Sequence, residues 1–117
     1  MKDIVISITA GTSEAKSNKP ILAVAGEHLQ SQFIIEFSDE FIDGTATVEY
    51  KTKSGKKGTL PLKKEDKVYK ASVTSDLTSE PPELKCQVKI VCQATEQGTP
   101  IFKSKIFTLN ICDCIDV

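Results

Sequence analysis

The chain contains no arginine, no tryptophan, one histidine, one methionine and no C-x-x-C pair. All fifteen of its basic residues are lysine. That removes the planar, bidentate guanidinium with which proteins grip phosphates, carboxylates and base edges. Without tryptophan, the only aromatic platforms are five phenylalanines and two tyrosines. Zinc ribbons and fingers need close cysteine pairs at a turn. Cys86, Cys92, Cys112 and Cys114 do not offer that spacing, and His28 lies far from them in sequence. No stretch approaches the roughly 20 apolar residues of a membrane helix. The opening Met1–Ile8 also lacks the continuous apolar run of a secretory signal, so synthesis and folding in the cytoplasm are expected. A formal charge of −1 gives no global attraction to nucleic acid or an anionic membrane. Neither is expected as a partner.

What remains describes an ordinary globular chain. At 117 residues, 39% hydrophobic and 26% charged, it is expected to form a single domain, 1–117, that buries about two-thirds of its unfolded surface. The dominant pattern is alternation with period two, the mark of half-buried strands. Ile4, Ile6 and Ile8 alternate with Val5 and Ser7, as do Phe33, Ile35 and Phe37 with Ile34 and Glu36. Ala46, Val48 and Tyr50 oppose Thr45, Thr47, Glu49 and Lys51, while Tyr69, Ala71 and Val73 form the inner face of Lys67–Val73. The strongest strand is Leu84–Ala94, with Cys86, Val88, Ile90 and Cys92 on one face, and a last strand is expected over Ile101–Cys112.

Turns punctuate these runs. Gly11–Lys19 reads as a loop, Ile21–Val24 as a short strand closed by Ala25-Gly26-Glu27, and Ser54-Gly55 as a hairpin turn. Leu60 and Leu62 form a short returning strand, with Pro61 suited to a sheet edge. A single helical turn fits Ser75–Ser79, ahead of Pro81-Pro82. Turns recurring every 8–12 residues or so indicate an antiparallel β-sandwich of about seven or eight strands. In the last strand, Phe102 and Ile106 lie on the opposite phase from Phe107, Leu109 and Ile111. A bulge near Ile106-Phe107 accounts for the slip, as does burial of both faces by a partner.

Reactive groups are sparse. A Cys86–Cys112 disulfide fits a hairpin, but pairing Val88 and Ile90 with Leu109 and Phe107 turns Cys112 away from Cys86. Free, mostly buried thiols follow. His28 has no Ser or Cys motif around it for acid–base or nucleophilic work and reads as a turn residue beside Gly26. Glu27, Glu36, Asp39, Glu40 and Asp43 lack the order of a calcium loop and read as solvated turn residues. No catalytic, cofactor-binding or metal-ligating residue is assigned, and no cofactor is expected. Eight lysines fall within Lys51–Lys70 against Glu65 and Asp66. They suit protection of exposed sheet edges better than nucleic-acid contact, which would want arginine and interleaved aromatics.

One stretch carries a likeness. Ser17–Gln30, with its Lys19-Pro20-Ile21-Leu22-Ala23-Val24-Ala25-Gly26-Glu27-His28 core, then Phe37, Phe41–Ala46 and Ile101-Phe102-Lys103-Ser104, resembles the amino-terminal domain of phage and prophage tail or baseplate proteins. The nearest named relatives are baseplate upper proteins from low-GC Gram-positive bacteria. The resemblance implies an immunoglobulin-like sandwich, without enzymatic activity, that assembles with other tail or baseplate proteins in the virion as a homo-oligomer. Such proteins continue past the point matching Val117, and the Cys112-Asp113-Cys114 tail departs from their pattern. The chain is then either a whole small protein or the amino-terminal part of a longer one. From the residues alone, an immunoglobulin-like surface domain that binds carbohydrate or peptide stands beside this reading.

Overall fold

The computed structural model describes residues 2–112. Its strands are β1 (Lys2–Thr9), β2 (Glu14–Ser17), β3 (Ile21–Val24), β4 (Ser31–Phe37), β5 (Thr45–Lys51) and β6 (Lys57–Pro61). They continue with β7 (Lys63–Glu65), β8 (Val68–Ser72), β9 (Glu83–Val91), β10 (Ile101–Lys103) and β11 (Phe107–Cys112). The one helical turn described, α1, spans Ser75–Thr78. Two sheets result, one ordered β2-β1-β4-β8-β7 and the other β3-β11-β9-β5-β6, with β10 also paired to β9. The fold is an all-β sandwich.

Alternation places the core. Ile4, Ile6, Ile8, Phe33, Ile35 and Tyr69 point inward from the first sheet. Ala46, Val48, Leu84, Cys86, Val88, Ile90, Leu109 and Ile111 meet them from the second. At one end, Phe37 makes edge-on contacts with Phe41 and Phe102, with ring centroids 5.7 and 6.0 Å apart. Such geometry aligns ring edges with ring faces. The Tyr69 ring stacks on Phe41 at 5.4 Å, while its hydroxyl donates to Ile42 O at 2.7 Å and accepts from Gly44 N at 3.1 Å. This one phenol therefore fixes the crossover from β4 to β5. Gly44 is required there, because a Cβ would collide with the Val91 carbonyl of β9.

The structure departs from the sequence-based expectation in several places. Eleven strands form among the described residues, where seven or eight were expected. Part of Gly11–Lys19 is strand β2 rather than loop, paired to β1 from Ile6↔Ser17 to Thr9↔Glu14. Two pairings are parallel, β1 with β4 and β3 with β11, so the sheets are mixed. Leu62 does not extend the strand of Leu60. It carries the chain from edge strand β6 in one sheet to edge strand β7 in the other.

The expected last strand is broken in two. β10 pairs Phe102 with Ile90, whereas β11 pairs Phe107 with Cys86 and Leu109 with Leu84. The register that matched Val88 and Ile90 with Leu109 and Phe107 is thus incorrect. Buried Ser104 sits in the break. Its N–H donates to Val88 O at 2.9 Å, and its Oγ accepts from Val88 N at 3.0 Å and donates to Lys105 O. The hydroxyl substitutes for a ladder partner, which lets the chain change phase without orphaning a buried amide. Ile106 is left 65% exposed on the outside.

Candidate interaction surface

A sandwich interacts through its strand edges, its outer faces and the loops at its ends. The edge at β3 is closed by the chain itself. Leu22 O accepts from the buried Ser31 hydroxyl at 3.0 Å, Val24 N donates to Glu27 Oε1 at 2.6 Å, and Val24 O accepts from Glu27 N. Gly26, at φ +84°, makes this return possible, since a positive φ costs glycine little. Gly26 N also donates to Thr78 O, and the Thr78 hydroxyl donates to Glu27 O at 2.8 Å.

Glu27 and His28 are therefore structural residues of this knot. The Glu27 carboxylate accepts from Val24 N and from Lys2 Nζ at 3.0 Å, and these two contacts hold its pKa below the ordinary value. His28 Nδ1 accepts from Ser75 N at 3.0 Å, at the start of α1. No local pattern hints at this bond, because its two ends lie 47 residues apart. Asp39 closes the turn between β1 and β2 by accepting from Gly11 N and Ala10 N, which lower its pKa. Asp43 pairs with Lys64 at 2.8 Å. Glu36 accepts from the Ser7 hydroxyl, and Glu40 is exposed. Among the described residues, no three His, Cys, Asp or Glu side chains gather as metal ligands, and no helix is long and apolar enough to cross a membrane.

Cys86, Cys92 and Cys112 are free thiols, and Cys114 lies outside the described residues. The expectation that the thiols are mostly buried holds for Cys86 alone of the three. Burial pushes its pKa up to about 12, so it is protonated and unreactive at neutral pH. Cys92 is half-buried. Cys112 is exposed because β11 turns its even-numbered residues outward.

Of the lysine-rich run, Lys57, Lys63 and Lys64 lie on the edge strands β6 and β7. There, lysine disfavours pairing with a foreign strand.

The outer margin of β10 is also open. In β10, Cys92 N donates to Pro100 O and Ser104 N donates to Val88 O. Phe102 therefore faces Ile90 as a hydrogen-bonded pair, and the backbone groups of Ile101 and Lys103 turn away from β9. Farther along, Lys105 N is taken by Ser13 O, and Asn110–Cys112 pair with β3. On the outer side of Ile101–Lys103 no strand pairs among the described residues. Ile101 and Ile106 flank this margin at 55% and 65% exposure. The phase slip at Ile106-Phe107 pointed to this place, but alternation alone could not show which side of β10 stays open.

Comparison with known proteins adds no identification: no family model matches the chain, and no curated protein is significantly similar to it.

Proposed function

We propose that the chain is a non-enzymatic structural module of a phage or prophage tail or baseplate, immunoglobulin-like in kind, that works by docking other virion proteins and further copies of itself. The observation that carries this reading is the β10 margin, where outward-facing backbone groups lie between two exposed isoleucines. An extended segment can add to such a margin through main-chain hydrogen bonds, while apolar contacts alongside set its register. The virion setting rests on the likeness carried by Ser17–Gln30, Phe41–Ala46 and Ile101–Ser104. The last of these segments is β10 together with the serine that ends it. The Ser17–Gln30 segment contains the self-closed β3 edge, so in this reading it supplies the stable frame and β10 the contact.

The test is compositional. Tail-bearing particles are purified on a density gradient after prophage induction of the encoding strain, and their proteins are counted by mass spectrometry. The reading expects this chain at a fixed ratio to the tail proteins across the gradient peak. Its absence from intact particles, with the chain still present in the lysate, overturns the reading.

A further inference from the structure

We infer that the outer face of the second sheet is a docking surface for an acidic segment of a partner protein. Strand register puts the lysines of that face into direct opposition. Lys51 of β5 lies opposite Lys57 of β6 on one side and Lys85 of β9 on the other. Lys89 of β9 lies opposite Lys103 of β10. Neighbouring strands are about 4.8 Å apart, so three ammonium-bearing stems stand in one row across three strands. The second row follows about 13 Å along β9, four residues on. Like charges directly opposite each other destabilise a sheet.

Among the described residues, no ion pair relieves this arrangement. The ion pairs found among the described residues, Lys2–Glu27, Lys64–Asp43 and Lys105–Glu14, involve none of these five lysines. Glu49 lies between the two rows and Glu83 stands beside Lys85 on the far side of the first, so these five lysines face two carboxylates. The outer face of the first sheet is different: there Lys16, Lys63 and Lys70 are interspersed with Asp3, Glu14, Glu36 and Glu65. A chain of net charge −1 has therefore concentrated positive charge on one of its two faces.

Protection of edges does not explain the concentration. Lys51, Lys85 and Lys89 sit on β5 and β9, which are interior strands of the sheet. Interior strands already have partners on both sides and need no charge to repel a third.

The rest of the surface selects the kind of anion. A shallow depression of about 420 Å³ lies beside the first lysine row, lined in part by Glu49, Tyr50, Lys51, Lys57, Lys85 and the exposed Ile106. Nucleic acid is recognised with arginine forks and stacked aromatics. This face has no arginine. The one aromatic lining the depression, Tyr50, belongs to the inner side of β5 and lies against Gly58, where a Cβ would overlap it, so no row of stacking rings is on offer. Ammonium groups around an apolar contact instead match a peptide of carboxylates with one apolar side chain, as charge complementarity at protein interfaces requires. The inference names a surface and a partner chemistry for the docking reading, and it rests on that reading for the partner's being a protein.

The test uses fluorescence anisotropy with a fluorescein-labelled nonapeptide of glutamates bearing one central leucine. A single-stranded oligonucleotide of nine residues serves as the competing probe. Titrations are run at about 20 mM salt, where screening is weak. The peptide is expected to bind and to bind more tightly than the oligonucleotide. The Lys51→Gln/Lys85→Gln double variant should weaken peptide binding about tenfold. The Lys63→Gln/Lys70→Gln double variant, which removes an opposed pair from the other face, should leave it within about twofold. The first double variant should also melt no lower than the parent, because it relieves repulsion. The inference is overturned by absence of peptide binding, by equal loss in both variants, or by preference for the oligonucleotide. None of these results alters whether the chain is found in particles, so the two readings fail separately.

Discussion

The hydroxyl of Tyr69 offers the sharpest test of how the sandwich is held together. Tyr69→Phe deletes one oxygen and keeps the ring on Phe41. Two backbone groups then lose their partner, the carbonyl of Ile42 and the N–H of Gly44. An orphaned buried polar group costs about 1–3 kcal/mol. Ile42 and Gly44 are half-buried, so water recovers part of each loss, and about 2 kcal/mol in total is expected. For a domain of this size that is a fall in melting temperature of about 8 °C. Urea titration followed by far-UV circular dichroism measures it, with a lowered midpoint and an unchanged slope. Tyr50→Phe is the control. Its hydroxyl lies close over Gly58 and holds no crossover, so a change below about 0.5 kcal/mol is expected. A Tyr69→Phe midpoint indistinguishable from the parent refutes the reasoning. Desolvation also raises the Tyr69 pKa. The stabilisation it confers is therefore complete below pH 10 and is lost as pH rises through its folded value.

Three further outcomes follow from the packing. Gly44→Ala should destabilise by about 1–3 kcal/mol, because the colliding atom is the backbone carbonyl of Val91. Gly11→Ala, which meets only the Asp39 side chain at an ordinary 3.5 Å, should be nearly neutral, and differential scanning calorimetry of the pair checks both. Iodoacetamide at neutral pH should label Cys112 in the native protein and spare Cys86 until urea unfolds it; rapid native labelling of Cys86 on peptide mapping contradicts its placement in the core. The pKa values of Glu27, Asp39 and Glu80 are held down by hydrogen-bond donors, chiefly Val24 N, Gly11 N and the Ser54 hydroxyl respectively. Their contribution is present above the ordinary carboxylate range and disappears as pH falls through the depressed values. The stability gap between parent and Asp39→Ala, read by urea titration, should accordingly narrow as pH falls through the depressed Asp39 value, and a gap that does not change with pH contradicts the carboxylate as its source.

Strand positions were legible where one face is buried and the other wet. Ile4, Ile6 and Ile8, or Ala46 and Val48, announce themselves by period two, and Pro61 pointed correctly to an edge. β2 was not legible, because Glu14-Ala15-Lys16-Ser17 puts almost nothing apolar inward and is held by backbone pairing to β1. Strand direction was equally hidden: alternation is the same for parallel and antiparallel neighbours, so the β1–β4 and β3–β11 pairs gave no trace. The change of register along Ile101–Cys112 was hidden because alternation does not reveal that buried Ser104 interrupts the strand.

The basic face was half visible. The run Lys51–Lys70 stood out, but Lys85, Lys89 and Lys103 join Lys51 and Lys57 only through register. The alternation of Glu83–Val91, which sends Lys85 and Lys89 to the same side, was the one local hint.

Lysine acetylation footprinting on intact particles tests most directly the proposal that the second sheet docks this domain within a virion. Rates at Lys51 and Lys85 are compared with those at Lys63 and Lys70, in the free domain and in purified tail-bearing particles. Comparable labelling of all four is expected in the free domain, with selective protection of Lys51 and Lys85 in the particle. Equal labelling in the particle, or no peptide from the chain there at all, contradicts it.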